Sequence, residues 1–416
     1  MNSDSSARDR DILRRLAERQ AQIAALPIHA ETIAQWKRLN RLEPGRPMVW
    51  VNEICWPEMG DELRLETSDP FCQAMEKELR RTLYQWDHLP GDMVVEPCFY
   101  CPMVIPPTGI GPRVSQTTID QGASGSIQSH AYESIIRDES DLELIRPPVV
   151  TVDREAGEIK RDRMERLIGD ILPIRLRGRN VWWFSPWDQL VQWWNPQQAL
   201  MDLVLRPELV HLAMDRLVSA RLAELDQYER LGLMALNNGN VRVGSGGLGY
   251  TDLLPQAGSR PGAYTARDLW GTATAQIFSE VSPEMHWEFA LKYEMRWLER
   301  FGLNCYGCCE PLHRKMHILE RIPNLRRVSM SPKVDIAQGS EALGRKYIYS
   351  HKPNPAVLAG SVWNPDAARA ELRRALELTR GCVVEIILKD ISTVRNEPLR
   401  LWEWTRMASA VAAEFA

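Results

Sequence analysis

From about residue 170 onward, short apolar runs alternate with longer stretches in which apolar residues recur every three or four positions. The runs cover residues 180–184, 233–237, 276–279, 303–308, 325–330, 347–350 and 383–388 and predict strands. The stretches between them, 207–231, 283–301, 311–322, 335–343, 365–379 and about 398–415, predict helices. Pro207, Pro283, Pro311 and Pro365 each stand at a predicted first turn, where the missing N–H costs nothing. With an earlier run at 48–54 the predicted strands number eight. Eight alternations of strand and helix predict an α/β fold of the (β/α)8 TIM barrel kind. An open doubly wound sheet also alternates and is the competing architecture.

The first part of the chain is less regular. Residues 6–26 and 30–42 read as amphipathic helices without chemical motifs, residues 70–88 as a further helix, and 94–102 as extended. From Pro106 to about Asp170 the content of Gly, Pro, Ser and charge rises and periodicity fades. The expected organisation is therefore an N-terminal helical extension over 1–44 and a barrel over 45–416, with an elaborated insertion of about 57–173 after the first strand.

Composition narrows the function. Fifty-one basic against fifty-five acidic residues give a net charge of −4, which offers no electrostatic case for nucleic acid. No apolar run approaches the length of a membrane span, and the opening Met1-Asn2-Ser3-Asp4-Ser5-Ser6 lacks the regions of a secretory signal. A cytoplasmic location with reduced thiols is expected. The eight cysteines then count as ligands or reactive groups before they count as disulfides.

Polar residues gather at the predicted C-terminal ends of the strands, where a barrel keeps its chemistry. They include Asn52 and Glu53, Asn237 and Asn238, Glu280, Ser329 and Ser331, His351 and Lys352, and Lys389 and Asp390. The densest cluster is Tyr306-Gly307-Cys308-Cys309-Glu310, and with Cys305 it holds three cysteines within five residues. Any one of these groups is also explained by capping or packing; the set points to a site. Two motifs compete for attention. Gly244-Ser245-Gly246-Gly247-Leu248-Gly249 fits G-x-G-x-x-G, yet no clear helix follows to hold a pyrophosphate, so it is read as a loop or lid over the barrel mouth. Cys98-x-x-Cys101 and Cys305-x-x-Cys308 together would make a four-thiolate zinc site only if the fold brings them together.

Gly45-Arg46-Pro47-Met48-Val49-Trp50, the stretch Tyr306 to Pro311, and Lys389-Asp390-Ile391-Ser392-Thr393 resemble the uroporphyrinogen decarboxylase superfamily. The resemblance covers most of the chain from about residue 40 and implies the barrel. True decarboxylases of that family follow the Arg-Pro-x-Val-Trp opening with arginines for substrate propionates, whereas Asn52 and Glu53 stand here. An acid cannot replace a guanidinium against a carboxylate-rich tetrapyrrole. Zinc-dependent thiol methyltransferases carry a His-x-Cys pair where this chain has Tyr306 and Cys308, so a zinc site would have to be an altered one using Cys308 and Cys309.

The remaining branch, which the Tyr306 to Pro311 stretch resembles best, is the methyltransferase of corrinoid-dependent O-demethylation. Its chemistry moves a methyl group from a methoxylated aromatic, or a similar small-molecule methyl donor, to the cobalt of a corrinoid. No Asp-x-His-x-x-Gly cobalamin-ligating motif occurs; Asp87-His88-Leu89-Pro90-Gly91 has the wrong spacing. The cobalamin is therefore expected on a separate corrinoid-binding protein. This resemblance implies an acid to help the phenolate leave, with Glu310 the candidate and Asp390 or Tyr306 its substitutes, and Lys389 to stabilise developing negative charge. Glu53, Asn237, Asn238, Trp183, His351 and Lys352 are the expected substrate-binding residues. A zinc-assisted methylcobalamin:thiol methyltransferase, a decarboxylase of the same superfamily and a non-catalytic binding protein are the alternatives.

Overall fold

The computed structural model describes residues 6–107, 109–114, 116–119 and 129–416. The start of the chain, read above as lacking a secretory signal, and part of the expected insertion lie outside the described residues. Eleven strands are present among the described residues: β1 (Met48–Val51), β2 (Phe99–Pro102), β3 (Gln116–Ile119), β4 (Ser129–Tyr132), β5 (Ile174–Arg177), β6 (Trp183–Phe184), β7 (Trp270–Ala273), β8 (Leu303–Tyr306), β9 (Leu325–Met330), β10 (Ile348–His351) and β11 (Val383–Leu388). Seven of them form one parallel sheet in the order β1-β11-β10-β9-β8-β7-β6. The fold is α/β, with fourteen α-helices among the described residues. Val328, Met330, Tyr349, Ile386 and Leu388 on the outward strand faces share one core with Leu343, Leu372, Trp404 and Ala408 of the helices, as parallel sheets covered by helices require. No helix among the described residues is long and apolar enough to cross a membrane.

Several expectations are corrected. The strand expected at 276–279 lies at Trp270–Ala273, and Gln276–Phe278 is a single 3-10 turn. Trp-Gly-Thr-Ala carries no apolar run, because Gly271 lets Phe301 pack on the backbone and Thr272 gives its hydroxyl to the Trp182 carbonyl at 2.7 Å. The stretch 233–237 forms only a single parallel bridge, between Met234 and Arg179. Asn237 replaces a ladder with its side chain: its amide donates to the Trp270 carbonyl and accepts from the Trp270 N–H, both at 2.9 Å. The helix expected at 311–322 shrinks to Met316–Leu319, since Gly307 at φ +94° and the inward-turned Glu310 keep the preceding residues in turns. A helix at Arg154–Ile168 stands where periodicity had faded. Among the described residues no ladder joins β1 to β6, so hydrogen bonds do not close the sheet.

The glycine-rich motif is not a lid. Residues 245–250 are all buried, and Arg242 and Leu248 form an antiparallel bridge that makes a tight hairpin. This hairpin enters the concave side of the sheet against an ion pair that is wholly buried, Arg327 of β9 and Glu385 of β11, 3.1 Å apart. The Arg327 guanidinium donates to the Gly247 carbonyl at 3.1 Å and to Asn40 at 2.9 Å, and the Gly247 N–H donates to Glu385 at 3.2 Å. A Cβ on Gly246 would lie 2.3 Å from Arg327, and one on Gly247 would lie 2.5 Å from Trp36. Glycine is therefore required by close approach of backbone to side chain. Asn40 also donates to the Leu248 and Tyr250 carbonyls at 3.0 and 2.8 Å, so the second N-terminal helix, Ile28–Asn40, is fastened to the hairpin.

Removing one member of a buried ion pair strands the other charge and typically costs about 3–5 kcal/mol. Arg327→Met and Glu385→Leu are each expected to lower unfolding stability by about that amount in denaturant titrations, and the double replacement by less than either. Equal stability of the single variants and the parent would contradict a structural role for the pair.

Candidate active site

A cavity of about 500 Å3 opens where the C-terminal ends of β1, β8 and β11 meet. Its lining is part aromatic, from Trp182, Trp183 and Trp270, and part polar, from Glu53, Arg242, Cys308, Cys309, Lys389 and Asp390. Asp188 and Gln276 complete it, 2.6 Å apart. A flat apolar ligand with one polar end matches this division.

The polar wall alternates in charge. Arg242 reaches Glu53 at 2.7 Å, Lys389 stands 3.7 Å from Glu53 and 2.7 Å from Asp390, and the Asp390 N–H donates to Glu53 at 3.2 Å. Glu53 and Asp390 both have left-handed backbones, at φ +51° and +56°. Such strain in non-glycine residues collects at functional sites. Burial works against the Glu53 carboxylate, but its hydrogen bond with Asp390 and the charges of Arg242 and Lys389 outweigh this and bring its pKa down to about 2. Burial pushes Asp390 upward, and the bond to Glu53 adds to the rise against the pull of Lys389. Of the two carboxyls, Glu53 is thus shifted toward its charged form and Asp390 toward its neutral form. Burial alone also raises Asp188, with Ser185 and Gln276 acting in the other direction.

The two thiols differ in the same way. Their sulfurs are 3.5 Å apart, and the Lys389 ammonium lies 3.4 Å from Cys308 Sγ. The hydrogen bond between the two sulfurs raises Cys308 and lowers Cys309. Their loop is clamped from three sides. Ser245 of the hairpin donates to the Gly307 carbonyl at 2.8 Å, Ser329 of β9 donates to the Cys308 carbonyl at 2.9 Å, and the Cys308 N–H donates to Glu310 at 2.9 Å.

Of the residues expected from sequence, Glu53, Asn237, Trp183, Cys308, Cys309, Lys389 and Asp390 meet at the cavity. The others stand elsewhere. Glu310 is fully buried behind the wall, accepting from Cys308 and from the Thr274 hydroxyl at 2.8 Å. Tyr306 is inside a one-way chain of donors: Lys315 to His286 at 3.1 Å, His286 to Tyr306 at 2.7 Å, Tyr306 to Glu294 at 2.7 Å. That direction assigns His286 as neutral. It agrees with burial, helped by Lys315, bringing its pKa down to about 3, while burial lifts Glu294 to about 8. Asn238 holds the Leu254 carbonyl at 2.6 Å, His351 is buried beside Tyr349, and Lys352 donates to the Ser350 hydroxyl at 2.6 Å below the cavity. Sequence reasoning passed over Arg242, Asp188, Trp270 and Gln276. Arg242 lies just before the glycine motif and Asp188 in a tryptophan-rich helix, and neither position carries a signal of chemistry by itself.

Zinc bound through Cys308 and Cys309 would need further donors in a tetrahedral array. Among the described residues no three His, Cys, Asp or Glu side chains are grouped to hold a metal ion. The nearest partner of Cys308 besides Cys309 is a cation, Lys389. No step is derived through zinc.

Cys309 is the one exposed thiol of the eight. It is expected to react first with iodoacetamide near neutral pH, because its thiolate is favoured by Cys308 and then Lys389. Lys389→Met removes a positive neighbour and should move the pH profile of Cys309 alkylation to higher pH. An unchanged profile would contradict the assigned electrostatics.

The fold is similar to that of a methyltransferase from Methanosarcina mazei, with a TM-score of 0.51 and 12% identical residues over 92% of this chain and 98% of that one. No family model matches the chain. No curated protein matches it either. At that identity the likeness establishes a shared fold.

Proposed function

We propose that this chain is a methyltransferase of the uroporphyrinogen decarboxylase superfamily, moving the methyl group of a methoxylated aromatic to the cobalt of a corrinoid on a separate protein. The observation that carries the reading is a cavity lined by tryptophans and by a polar group in which Asp390, an acid shifted toward its neutral form, stands beside a cation, Lys389. The fold shared with a methyltransferase supports methyl transfer in general. On this reading the sheet is a (β/α)8 barrel, and the stretch 233–237, tied to β7 through Asn237, takes the place of the missing strand.

The chemistry asks little of the protein beyond positioning and charge. The donor ring lies against Trp182 and Trp183, and its ether oxygen faces Asp390 and Lys389. The corrinoid, when its carrier docks over the cavity, supplies the electron pair that takes the methyl carbon. As the C–O bond breaks, its electrons stay on oxygen. Asp390 delivers its proton to that oxygen, and Lys389 stabilises whatever negative charge precedes the proton. Burial and then Glu53 shift Asp390 toward its protonated form. Glu310 acts at one remove, as the positioning residue that holds the Cys308–Cys309 loop. It takes over the acid role only if Asp390 proves dispensable.

The test is anaerobic release of the phenol from a panel of methoxybenzenes in the presence of a Co(I) corrinoid protein. Asp390→Asn is expected to lose about 10²–10⁴-fold in turnover. Retained turnover in that variant, with loss in Glu310→Gln, would return the acid role to Glu310. Release by every variant tested would sink both acids. Stoichiometric zinc in the purified protein that disappears in Cys308→Ala would move the reading to a thiol methyltransferase.

The pH dependence follows from the sign of the shifts. A general acid must be protonated, so turnover should fall as pH rises through the raised pKa of Asp390. Glu53→Gln removes a neighbour that raises Asp390, so the falling limb should move to lower pH. A shift to higher pH would contradict that coupling.

A further inference from the structure

Cys308 and Cys309 are neighbours in sequence whose side chains converge. Successive residues of a strand point to opposite faces, and that alternation would carry the two sulfurs apart. β8 ends at Tyr306, however, and Gly307, at φ +94°, turns the chain. A Cβ there would lie 2.4 Å from Leu312, so the turn requires glycine for space as well as for conformation. Ser245, Ser329 and Glu310 hold the backbone of residues 307 and 308, and the sulfurs meet 3.5 Å apart at the main cavity. Their exposure differs. Cys309 is exposed, and its sulfur stands 4.0 Å from the Asp390 carboxyl. Cys308 is buried, with the Lys389 ammonium 3.4 Å from its sulfur. An accessible thiol beside a second thiol that can resolve it is the arrangement found in redox-responsive pairs.

We propose that Cys308 and Cys309 are a modification site, closing to a reversible disulfide by exchange with a low-molecular-weight disulfide. The Cys309 thiolate attacks one sulfur of the reagent, whose S–S bond breaks and releases one thiolate. Cys308 then gives its proton to solvent, and its sulfur attacks that of Cys309 in the mixed disulfide, expelling the second thiolate. The protein gives up two electrons and two protons, and the reagent leaves as two thiols. The Lys389 cation favours the thiolate that the second step needs. Adjacent Cα atoms lie about 3.8 Å apart across a trans peptide, closer than the roughly 4.4–6.8 Å usual for disulfides. A bond closed there is strained and easily reduced, which suits a reversible modification and not a structural bridge. Closure removes both ionisable sulfurs from the cavity lining. The proposal needs no part of the methyl-transfer reading, and each can fail alone.

The experiment treats the whole protein with an aryl disulfide, dithiobis(nitrobenzoate), and counts both the nitrothiobenzoate released and the aryl adduct left in the intact mass. Cys382→Ser is carried throughout, to remove the half-buried thiol that Ser340 meets at 3.3 Å. Two ions released per chain with no adduct are expected, and fragmentation of the tryptic peptide 301–314 should join Cys308 to Cys309. Dithiothreitol should restore both thiols. With Cys308→Ala added, one ion is released and the other half of the reagent stays on Cys309. Circular dichroism melts show whether that variant is folded; if it is not, the adduct count and the mapped bond of the protein with both thiols decide alone. A lasting adduct on that protein, no release, or a bond mapped to Cys305 would overturn the proposal. Two ions released by folded Cys308→Ala without an adduct would overturn it as well.

Discussion

The structure turns on an ion pair that has no contact with solvent. Arg327 and Glu385 face each other on the concave side of the sheet, where taking two charges out of water is costly unless every remaining hydrogen-bonding position is met. The chain meets most of them, largely with backbone, while Glu385 Oε2 has no hydrogen-bond partner among the described residues. The glycine hairpin brings the Gly247 N–H and carbonyl between the two side chains, and Asn40 joins from the N-terminal helix. One interaction thereby ties the start of the chain, its middle and its last strand together.

The consequences reach the site. The hairpin that satisfies Arg327 also presents Arg242 to Glu53 and Ser245 to the Gly307 carbonyl. Charge in the cavity wall is thus set from below. Hydrogen bonding with Asp390 and the charges of Arg242 and Lys389 hold Glu53 down, burial and then Glu53 push Asp390 up, and the clamped loop holds Cys308 against Lys389. Left-handed backbone at both acids fits a wall whose geometry is imposed by its surroundings.

Much of the fold is legible in the chain because its signals are local. Ser6, Asp335 and Asn364 cap helices where the periodicity begins, and β9 and β11 coincide with the runs expected at 325–330 and 383–388. What escapes notice depends on partners far away in sequence. β7 is Trp-Gly-Thr-Ala because Phe301 and the Trp182 carbonyl complete it, and the glycine motif looks like a surface loop until Arg327 and Glu385 are known to face it. The site divides along the same line. Cys308, Cys309, Lys389, Asp390 and Glu53 stand out as polar residues at strand ends. The direction in which Glu310 points, and the arrival of Arg242, are decided by tertiary packing that no spacing encodes.

The central claim is that a methyl group leaves an aryl ether with its oxygen staying on the ring. The most direct measurement is a single turnover on a donor labelled with 13C in the methoxy carbon and 18O in the ether oxygen, with this protein and a reduced corrinoid protein. The account predicts a phenol that keeps its 18O and a 13C label recovered on the corrinoid. Label appearing as methanol or formaldehyde, or a phenol that has lost its 18O, would contradict it.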